Sequence, residues 1–518
     1  MGCRALSWQV GSPGGSLSAP IACLRGLFRR ALPLCLLLAP LSCGDASLPG
    51  VQAGAGASDS STALEQEPCG AAFPADRVME VVIELADEDW QAILAAPLDE
   101  EYRPANISYD GELLEQVAIR TKGNSSLHSV ASDPNSIRYP FKVDTNRYVD
   151  GQKLHGLKKL NFNNGFKDPS LLREHLGYRL SRELDLPTPC TAFADLTVAG
   201  EHLGLYTVVE HVDDDFIEKR FADDDGDLYK PDFPAGSLAW RGDSFEAYEG
   251  IELKTNEDSS DHSAFLRLVE VLAQGSDEQL EEVLLVDEVL RYIALNTLLV
   301  NLDSYTGNGH NYYLYEIDGR FQLIPWDLNE AFGNFSCGCD RDGLINLMMD
   351  EPTCGPLASR PVVERLLAVD SYRERYHELL RGALAGVFAS EPFDTWMMTA
   401  VKLVRDAVLA DPTRFYSFAE FEANQQTDVG QALGLSLFVE QRWQALDAQL
   451  TGLAVSAADG LGSCGDQPGG SGGPGGGPGG GPGGVLCPDG VCDEFERNNC
   501  NACPADCSDD AVWQNNCS

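Results

Sequence analysis

Residues 301–333 read NLDSYTGNGHNYYLYEIDGRFQLIPWDLNEAFG, and this stretch indicates the fold and chemistry of the protein most directly. The segment before it, DEVLRYIALNTLLVN (287–301), has apolar residues at helical spacing, which predicts that Asp303 lies on a loop just after a helix. Two apolar segments, 312–315 and 321–325, flank Asp318-Gly319 and predict a β-hairpin. The second strand of that hairpin leads directly to a second acid, Asp327.

This order of residues suits phosphoryl transfer and is that of a protein-kinase catalytic loop. Asp303 would orient or deprotonate an attacking hydroxyl, while Asp327 and an amide oxygen would hold Mg²⁺ on nucleotide phosphates. Asn308 has the conventional kinase spacing from the catalytic aspartate, but Asn311 directly opens the predicted strand, and we favour Asn311. The alternative is that the two acids cap turns, where Asp is common.

Further motifs in the same order resemble those of the CotH kinases, the spore coat protein H-like atypical protein kinases. The resemblance covers about residues 78–333 and extends to helices near residue 450. Its motifs are GNSS (123–126), YPFKVD (139–144), LKKLNFNN (157–164), DPSLLREHLGYRL (168–180), GEHLGLYTVVEHVD (200–213), LYK (228–230), ELKTNED (252–258) and residues 301–333. The resemblance implies ATP and Mg²⁺ (or Mn²⁺) as cofactors. It also implies transfer of the γ-phosphate to Ser/Thr hydroxyls of a protein substrate.

The nucleotide side of the site is predicted from the earlier motifs. The loop at Gly123, Asn124, Ser125 and Ser126 could cradle phosphates through backbone N–H groups and two hydroxyls, or it could be an ordinary hairpin turn. Lys142 lies mid-strand where a phosphate-pairing lysine belongs, and Glu174 on the following helix would be its ion-pair partner. Lys142 could instead be a solvated strand lysine. Other lysines compete for its role: Lys122, Lys158, Lys159, Lys230 and Lys254.

The pattern of elements predicts an α+β fold. Residues 69–285 would form a small mixed β lobe with one helix plus an insert, including hairpins at Asp110-Gly111 and Ala199-Gly200. That helix would begin with Asp168 as N-cap and Pro169 at its first position. Residues 286–464 show helical spacing and would form a larger, mainly helical lobe. With the resemblance, this predicts an atypical protein-kinase-like two-lobed fold.

Both ends of the chain predict export. Three arginines precede the apolar ALPLCLLLAPL (31–41), so residues 1–43 read as a signal sequence. Cys43 is the expected site of lipid attachment, although Pro40 departs from the usual pattern and plain cleavage is the alternative. Residues 44–68 would be a flexible tether, 465–485 a Gly/Pro linker and 486–518 a disulfide-rich module with six cysteines. We expect a periplasmic, outer-membrane-anchored or cell-surface protein.

The net charge and the cysteine content limit the classes of binding partner and the compartment that we expect. The 518 residues carry a formal net charge of −43, which argues against nucleic acid and against docking on anionic lipid other than through the anchor. The charge would suit a basic protein substrate, although a solvated acidic surface is the simpler explanation. Sixteen cysteines, among them Cys337, Cys339 and Cys354 after the hairpin, favour an oxidising compartment. A catalytically silent, kinase-like binding or scaffold protein is the alternative function.

Overall fold

The computed structural model of the protein describes residues 69–464. The predicted signal sequence with Cys43, the tether, the linker and the cysteine-rich module all lie outside the described residues. Within them, no helix is both long enough and apolar enough to cross a bilayer.

Seven strands close into a barrel in the order β1-β2-β3-β4-β5-β7-β6. Their bounds are β1 (Met79–Glu84), β2 (Arg103–Tyr109), β3 (Glu112–Thr121), β4 (Phe141–Asp144), β5 (Lys159–Asn163), β6 (Thr191–Val198) and β7 (Glu201–Glu210). β1 pairs in parallel with β6, and the other neighbours are antiparallel. Apolar residues alternate inward, as Met79, Val81 and Ile83 do in β1, and fill the barrel with an apolar core. Closure leaves no free edge in this sheet.

A second sheet has the order β11-β10-β8-β9. Its strands are β8 (Leu228–Pro231), β9 (Ile251–Leu253), β10 (Tyr312–Ile317) and β11 (Arg320–Pro325). The described helices are α1 (Asp87–Ala95), α2 (Ser125–Ala131), α3 (Arg173–Glu183), α4 (Asp214–Arg220), α5 (Ser263–Gln274), α6 (Leu280–Val283), α7 (Val286–Leu299), α8 (Arg341–Ile345), α9 (Pro361–Ala368), α10 (Asp370–Ala385), α11 (Ser390–Ala410), α12 (Phe418–Asn424) and α13 (Leu435–Leu450). Most of these helices and the second sheet share one large apolar core, separate from that of the barrel.

The three predicted hairpins are present, and each turn has positive φ at both central residues. The values are 49° and 89° at Asp110-Gly111, 51° and 80° at Ala199-Gly200, and 51° and 79° at Asp318-Gly319. Turns of this kind match the twist of the flanking strands, which is why Asp-Gly and similar pairs are such clear local signals.

The predicted α+β class is confirmed, but two details were wrong. The strands form a closed barrel rather than a small mixed lobe built around one helix, and α3 packs on β6 and α7. α3 also begins at Arg173, not beside Asp168. The carboxylate of Asp168 instead accepts the backbone N–H groups of Ser170 and Arg173, which holds a turn before the helix. The two-lobed kinase arrangement and the boundary at 285/286 stay predictions.

Covalent and buried ionic links tie distant segments together. Disulfides join Cys69 to Cys190, Cys337 to Cys354, and Cys339 to Cys464. The predicted disulfide bonding is therefore confirmed for the described cysteines. The guanidinium of Arg138, which is fully buried before β4, pairs at 2.9 Å with the buried Asp411 that follows α11.

Candidate active site

The loop that carries Asp303 is held by its own polar side chains. α7 ends at Leu299, and its C-cap Val300 adopts a left-handed conformation that turns the chain out of the helix. Buried Asn301 donates from Nδ2 to Asn296 Oδ1 at 2.9 Å, and Ser304 Oγ donates to the Asn301 carbonyl at 2.6 Å. The backbone N–H groups of Val300 and Asn301 donate to the carbonyls of Thr297 and Asn296 at the end of α7, and together these bonds fix the start of the loop.

Three side-chain N–H groups converge on the carboxylate of Asp303. His310 Nε2 donates to Oδ1 at 2.7 Å and Asn308 Nδ2 donates to the same oxygen at 3.1 Å. Asn311 Nδ2 donates to Oδ2 at 2.9 Å. Burial by itself opposes ionisation of Asp303, but the hydrogen bond and charge of His310 and the bond from Asn308 outweigh it and lower the pKa below its ordinary value. Asp303 is therefore a fixed, ionised carboxylate.

Asn311 and Asp327 emerge at the same end of the β10–β11 hairpin, because Tyr312 pairs with Pro325. Both residues have left-handed backbone conformations, with φ of 56°. The Asp327 backbone N–H donates to Tyr178 Oη at 2.9 Å, and its carboxylate accepts no hydrogen bond from the described residues. Burial raises the pKa of Asp327 and the charge of Asp303 adds to this, while Lys122, Lys230 and His310 oppose it. The structure thus brings together the predicted residues Asp303, Asn311 and Asp327.

The oxygen atoms of this site are of the kind that magnesium prefers. No group of three or more His, Cys, Asp or Glu side chains within residues 69–464 is arranged to hold a metal alone. Mg²⁺ usually binds through one or two carboxylates while substrate phosphates and water complete its shell. Asp327 supplies a carboxylate, Asn311 an amide oxygen, and Asn308 Oδ1 is buried without a hydrogen-bond partner. An unsatisfied buried oxygen of this kind suits a ligand role, so Asn308 stays a candidate beside Asn311.

The predicted ion pair between Lys142 and Glu174 was wrong, and Lys122 instead interacts with both Glu174 and Asp327. Lys122 Nζ donates to Asn163 Oδ1 at 2.5 Å, and Asn163 Nδ2 donates to both carboxylate oxygens of Glu174 at 2.8 and 2.9 Å. Burial lowers the pKa of Lys122, whereas the charges of Asp327 and Glu174 raise it. Burial raises the pKa of Glu174, as does the charge of Asp327.

Strand register explains why Lys142 is not the partner. Thr121 pairs with Phe141 and Phe141 with Phe162, so the next row across the barrel contains Lys122 and Asn163. Lys142 lies in a different row, paired with Arg120 and Asn161, and its Nζ is 3.1 Å from His211 Nε2.

Positive charge is concentrated around His211. Burial lowers the pKa of His211 well below its ordinary value, and Lys142, Lys159, Lys230 and Lys122 lower it further, in that order. Burial and the charges of neighbouring cations, Lys159 first, lower the pKa of Lys142 to about 6. A group of buried or half-buried lysines this close together is costly without a counter-ion and is complementary to a polyphosphate.

The GNSS segment connects β3 to α2. Gly123 has a φ of 96°, Asn124 precedes the helix, and Ser125 and Ser126 form its first turn. The segment is therefore not the simple hairpin turn considered as the alternative. It follows directly after Lys122, and its contact with phosphates stays a prediction.

Two further polar features were missed from the sequence. His310 lies within the quoted run, next to Asn311, and was not among the predicted site residues. Glu330 is buried, forms an ion pair with Lys167 at 2.9 Å, and has a pKa that burial raises to about 7. The negative charges of Asp303 and Asp327 also raise the pKa of Glu330. The signal that the sequence offers for His310 and Glu330 is that both lie within residues 301–333.

Comparison with known proteins identifies the family of this chain. The family model described as CotH kinase protein matches residues 119–446, which is more than half of the chain and includes every site residue discussed above. The chain belongs to the CotH kinase family. It is also similar to the inner spore coat protein H of Bacillus subtilis (strain 168), with 26% identity over 284 residues, 53% of this chain and 75% of that protein. The resemblance inferred from the motifs is confirmed, and the protein is a kinase-like member of the CotH family.

Proposed function

We propose that this CotH-family protein is an atypical protein kinase that transfers the γ-phosphate of ATP, bound with Mg²⁺ or Mn²⁺, to Ser/Thr hydroxyls of a protein. The observation that carries the proposal is the convergence on one site of a fixed carboxylate (Asp303), oxygen ligands from Asn311 and Asp327, and the lysine Lys122. Phosphoryl transfer asks the protein mainly to position groups and to stabilise charge, and this set supplies both.

Asp303 would act on the acceptor hydroxyl through Oδ2. Oδ1 accepts two side-chain N–H groups, whereas Oδ2 accepts one, so Oδ2 has a lone pair left for a substrate O–H. The low pKa of Asp303 makes it a weak proton acceptor. It would therefore orient the hydroxyl first and take the proton late, as a loose transition state requires.

The nucleotide would bind between the lysines and the two metal-ligand residues. A magnesium ion bound by Asp327 and Asn311 would neutralise charge on the phosphates. Lys122 would contact the phosphates directly, with Asn163 and Glu174 holding its amine in place. Lys142, Lys159 and Lys230 would stabilise the polyanion from the neighbouring side of the site.

Export of the protein is proposed as well. Three disulfides in the described residues support folding in an oxidising compartment, where such bonds form and persist. The acceptor would then be a protein encountered outside the cytoplasm.

The test is phosphate transfer from γ-labelled ATP by the full chain, produced in an oxidising compartment, with Mg²⁺ or Mn²⁺ and a basic Ser-containing acceptor. We expect Asp303→Asn and Asp327→Asn to lower transfer by about a hundredfold or more, and the exposed-site control Asp150→Asn to retain it. ATP with metal should still raise the melting temperature of Asp303→Asn. The rise should be smaller for Asp327→Asn, which lacks a metal-binding carboxylate. No transfer by the unaltered protein, and no nucleotide-dependent rise in its melting temperature, would refute the kinase and favour a binding protein.

A further inference from the structure

The loop formed by residues 232–237 is held rigidly against the catalytic loop. Tyr312 Oη donates to the Gly236 carbonyl at 2.7 Å and Tyr305 Oη donates to the Ser237 carbonyl at 3.2 Å. The backbones are so close that a Cβ on Gly236 would lie 2.2 Å from the carbonyl oxygen of Gly309. The 232–237 loop therefore has a defined position relative to Asp303, because Gly309 belongs to the same loop as the acid.

Phe233 is the exposed side chain that this loop presents. Half of it, 50%, is accessible to solvent, and neither apolar core of the described residues includes it. Its ring centroid lies 5.0 Å from that of His310, whose Nε2 donates to Asp303. The anchored loop thus presents a large, half-exposed aromatic face next to His310, the residue that donates a hydrogen bond to the proposed catalytic carboxylate.

Asp232 places a negative charge next to the same ring. Its side chain is exposed, and Oδ1 accepts the backbone N–H of Phe233 at 2.7 Å. Its negative charge interacts with Lys230 and His310, and no described residue forms a hydrogen bond with its other carboxylate oxygen. The connection from β8 to β9, residues 232–250, contains four exposed acids and a single arginine, so its net charge favours a cationic partner.

We propose that Asp232 and Phe233 form the subsite that recognises a Lys or Arg of the acceptor protein near the phosphorylated Ser/Thr. An aromatic face together with a carboxylate is the combination that binds an ammonium or guanidinium group, through cation–π attraction and a charge-assisted hydrogen bond. An extended chain advances about 3.3–3.6 Å per residue, so the path from Phe233 through His310 to Asp303 places the cation within about three residues of the phosphoacceptor. This inference rests on the proposed kinase activity.

The experiment uses the full chain and two peptides that differ only in having Arg or Gln three residues from a single Ser. We expect the unaltered protein to prefer the Arg peptide about tenfold in kcat/KM, a factor within the range of one cation–π contact. Phe233→Ala and Asp232→Asn should each remove most of that preference by raising the peptide KM, with the KM for ATP unchanged. Phe233→Trp should restore it, while Tyr148→Ala and Asp150→Asn, in an exposed loop between β4 and β5, should behave like the unaltered protein.

Two results would overturn the subsite. One is an unchanged peptide preference in Phe233→Ala and Asp232→Asn. The other is a fall in kcat alone, which would make the 232–237 loop a support for His310. If the unaltered protein phosphorylates neither peptide, the proposed kinase fails separately. Binding of the labelled Arg peptide, measured by fluorescence anisotropy, then decides the subsite: weaker binding by both variants supports it, and equal binding refutes it.

Discussion

Replacing Lys142 with methionine should stabilise the nucleotide-free protein while impairing its binding of ATP. Lys142 is enclosed on β4 among other lysines, and burial with their repulsion lowers its pKa to about 6. In the unfolded chain a lysine keeps its proton up to an ordinary value of 10.5. Between these two pKa values the unfolded chain binds one more proton than the folded protein, so the free energy of unfolding increases with pH.

The size of the effect follows from the same difference. Each pKa unit corresponds to about 1.4 kcal/mol, so Lys142 costs about 6 kcal/mol of stability below pH 6, where both states are charged. The cost is about 4 kcal/mol near pH 7.5 and disappears above about pH 10.5. Methionine does not titrate and has a similar length. Lys142→Met should therefore be more stable than the unaltered protein by about 4 kcal/mol near pH 7.5, with a larger gain at lower pH.

The assay is chemical unfolding at a series of pH values, with melting temperatures measured with and without ATP and Mg²⁺. Lys402→Met is the matched control, because Lys402 is an exposed lysine on α11. Its stability should stay within about 0.5 kcal/mol of the unaltered protein at every pH. The nucleotide-induced rise in melting temperature should shrink in Lys142→Met only. Equal stability of Lys142→Met and the unaltered protein from pH 6 to pH 9 would show that the lysine is charged and paired, and would refute the reasoning.

Three further predictions concern the catalytic acid and the links between segments. Asp303→Asn should lower kcat by about 10²- to 10⁴-fold in the transfer assay, because the oriented proton acceptor is lost; a variant that keeps a tenth of the activity would contradict that role. Asp411→Asn should lower the free energy of unfolding by about 3–5 kcal/mol, measured by chemical unfolding, because it leaves the buried guanidinium of Arg138 without a counter-ion. The double variant with Arg138→Met should recover part of this loss. A loss of less than about 1 kcal/mol in Asp411→Asn would argue against a buried charged pair. Cys464→Ser should lower stability by about 4 kcal/mol, because Cys339–Cys464 closes a loop with a sequence separation of 125 residues; an unchanged unfolding midpoint would show that the bond does not constrain the unfolded chain.

The positions of the proposed catalytic residues in the fold were predictable because their signals are local. The Asp318-Gly319 turn sets the register of β10 and β11, and that register brings Asn311 and Asp327 to one end of the hairpin. The apolar spacing of α7 likewise indicated that the helix ends just before Asp303. Turn chemistry and periodicity act over a few residues, so they can be recognised without knowledge of the rest of the fold.

The nucleotide-side residues could not be assigned in this way. Lys122 and Lys142 could not be ranked from the sequence, since one directly follows a predicted strand and the other lies within one. Only the register of three adjacent barrel strands decides that Lys122 reaches Asn163 and, through it, Glu174. The bond from His310 to Asp303 depends in the same way on how the loop between them folds back on itself.

The sequence by itself determined the CotH family, the α+β class, the three hairpins and the order of acid, amide and acid along residues 301–333. The tertiary structure decided that the first seven strands close into a barrel and which described cysteines pair. It also decided that Lys122, not Lys142, interacts with Glu174, and that Phe233 stands half-exposed beside His310. The physical reason is the range of the interactions. Backbone turns and the alternation of apolar residues follow from neighbouring residues, whereas strand register, buried charge networks and disulfide pairing depend on packing between segments far apart in the chain.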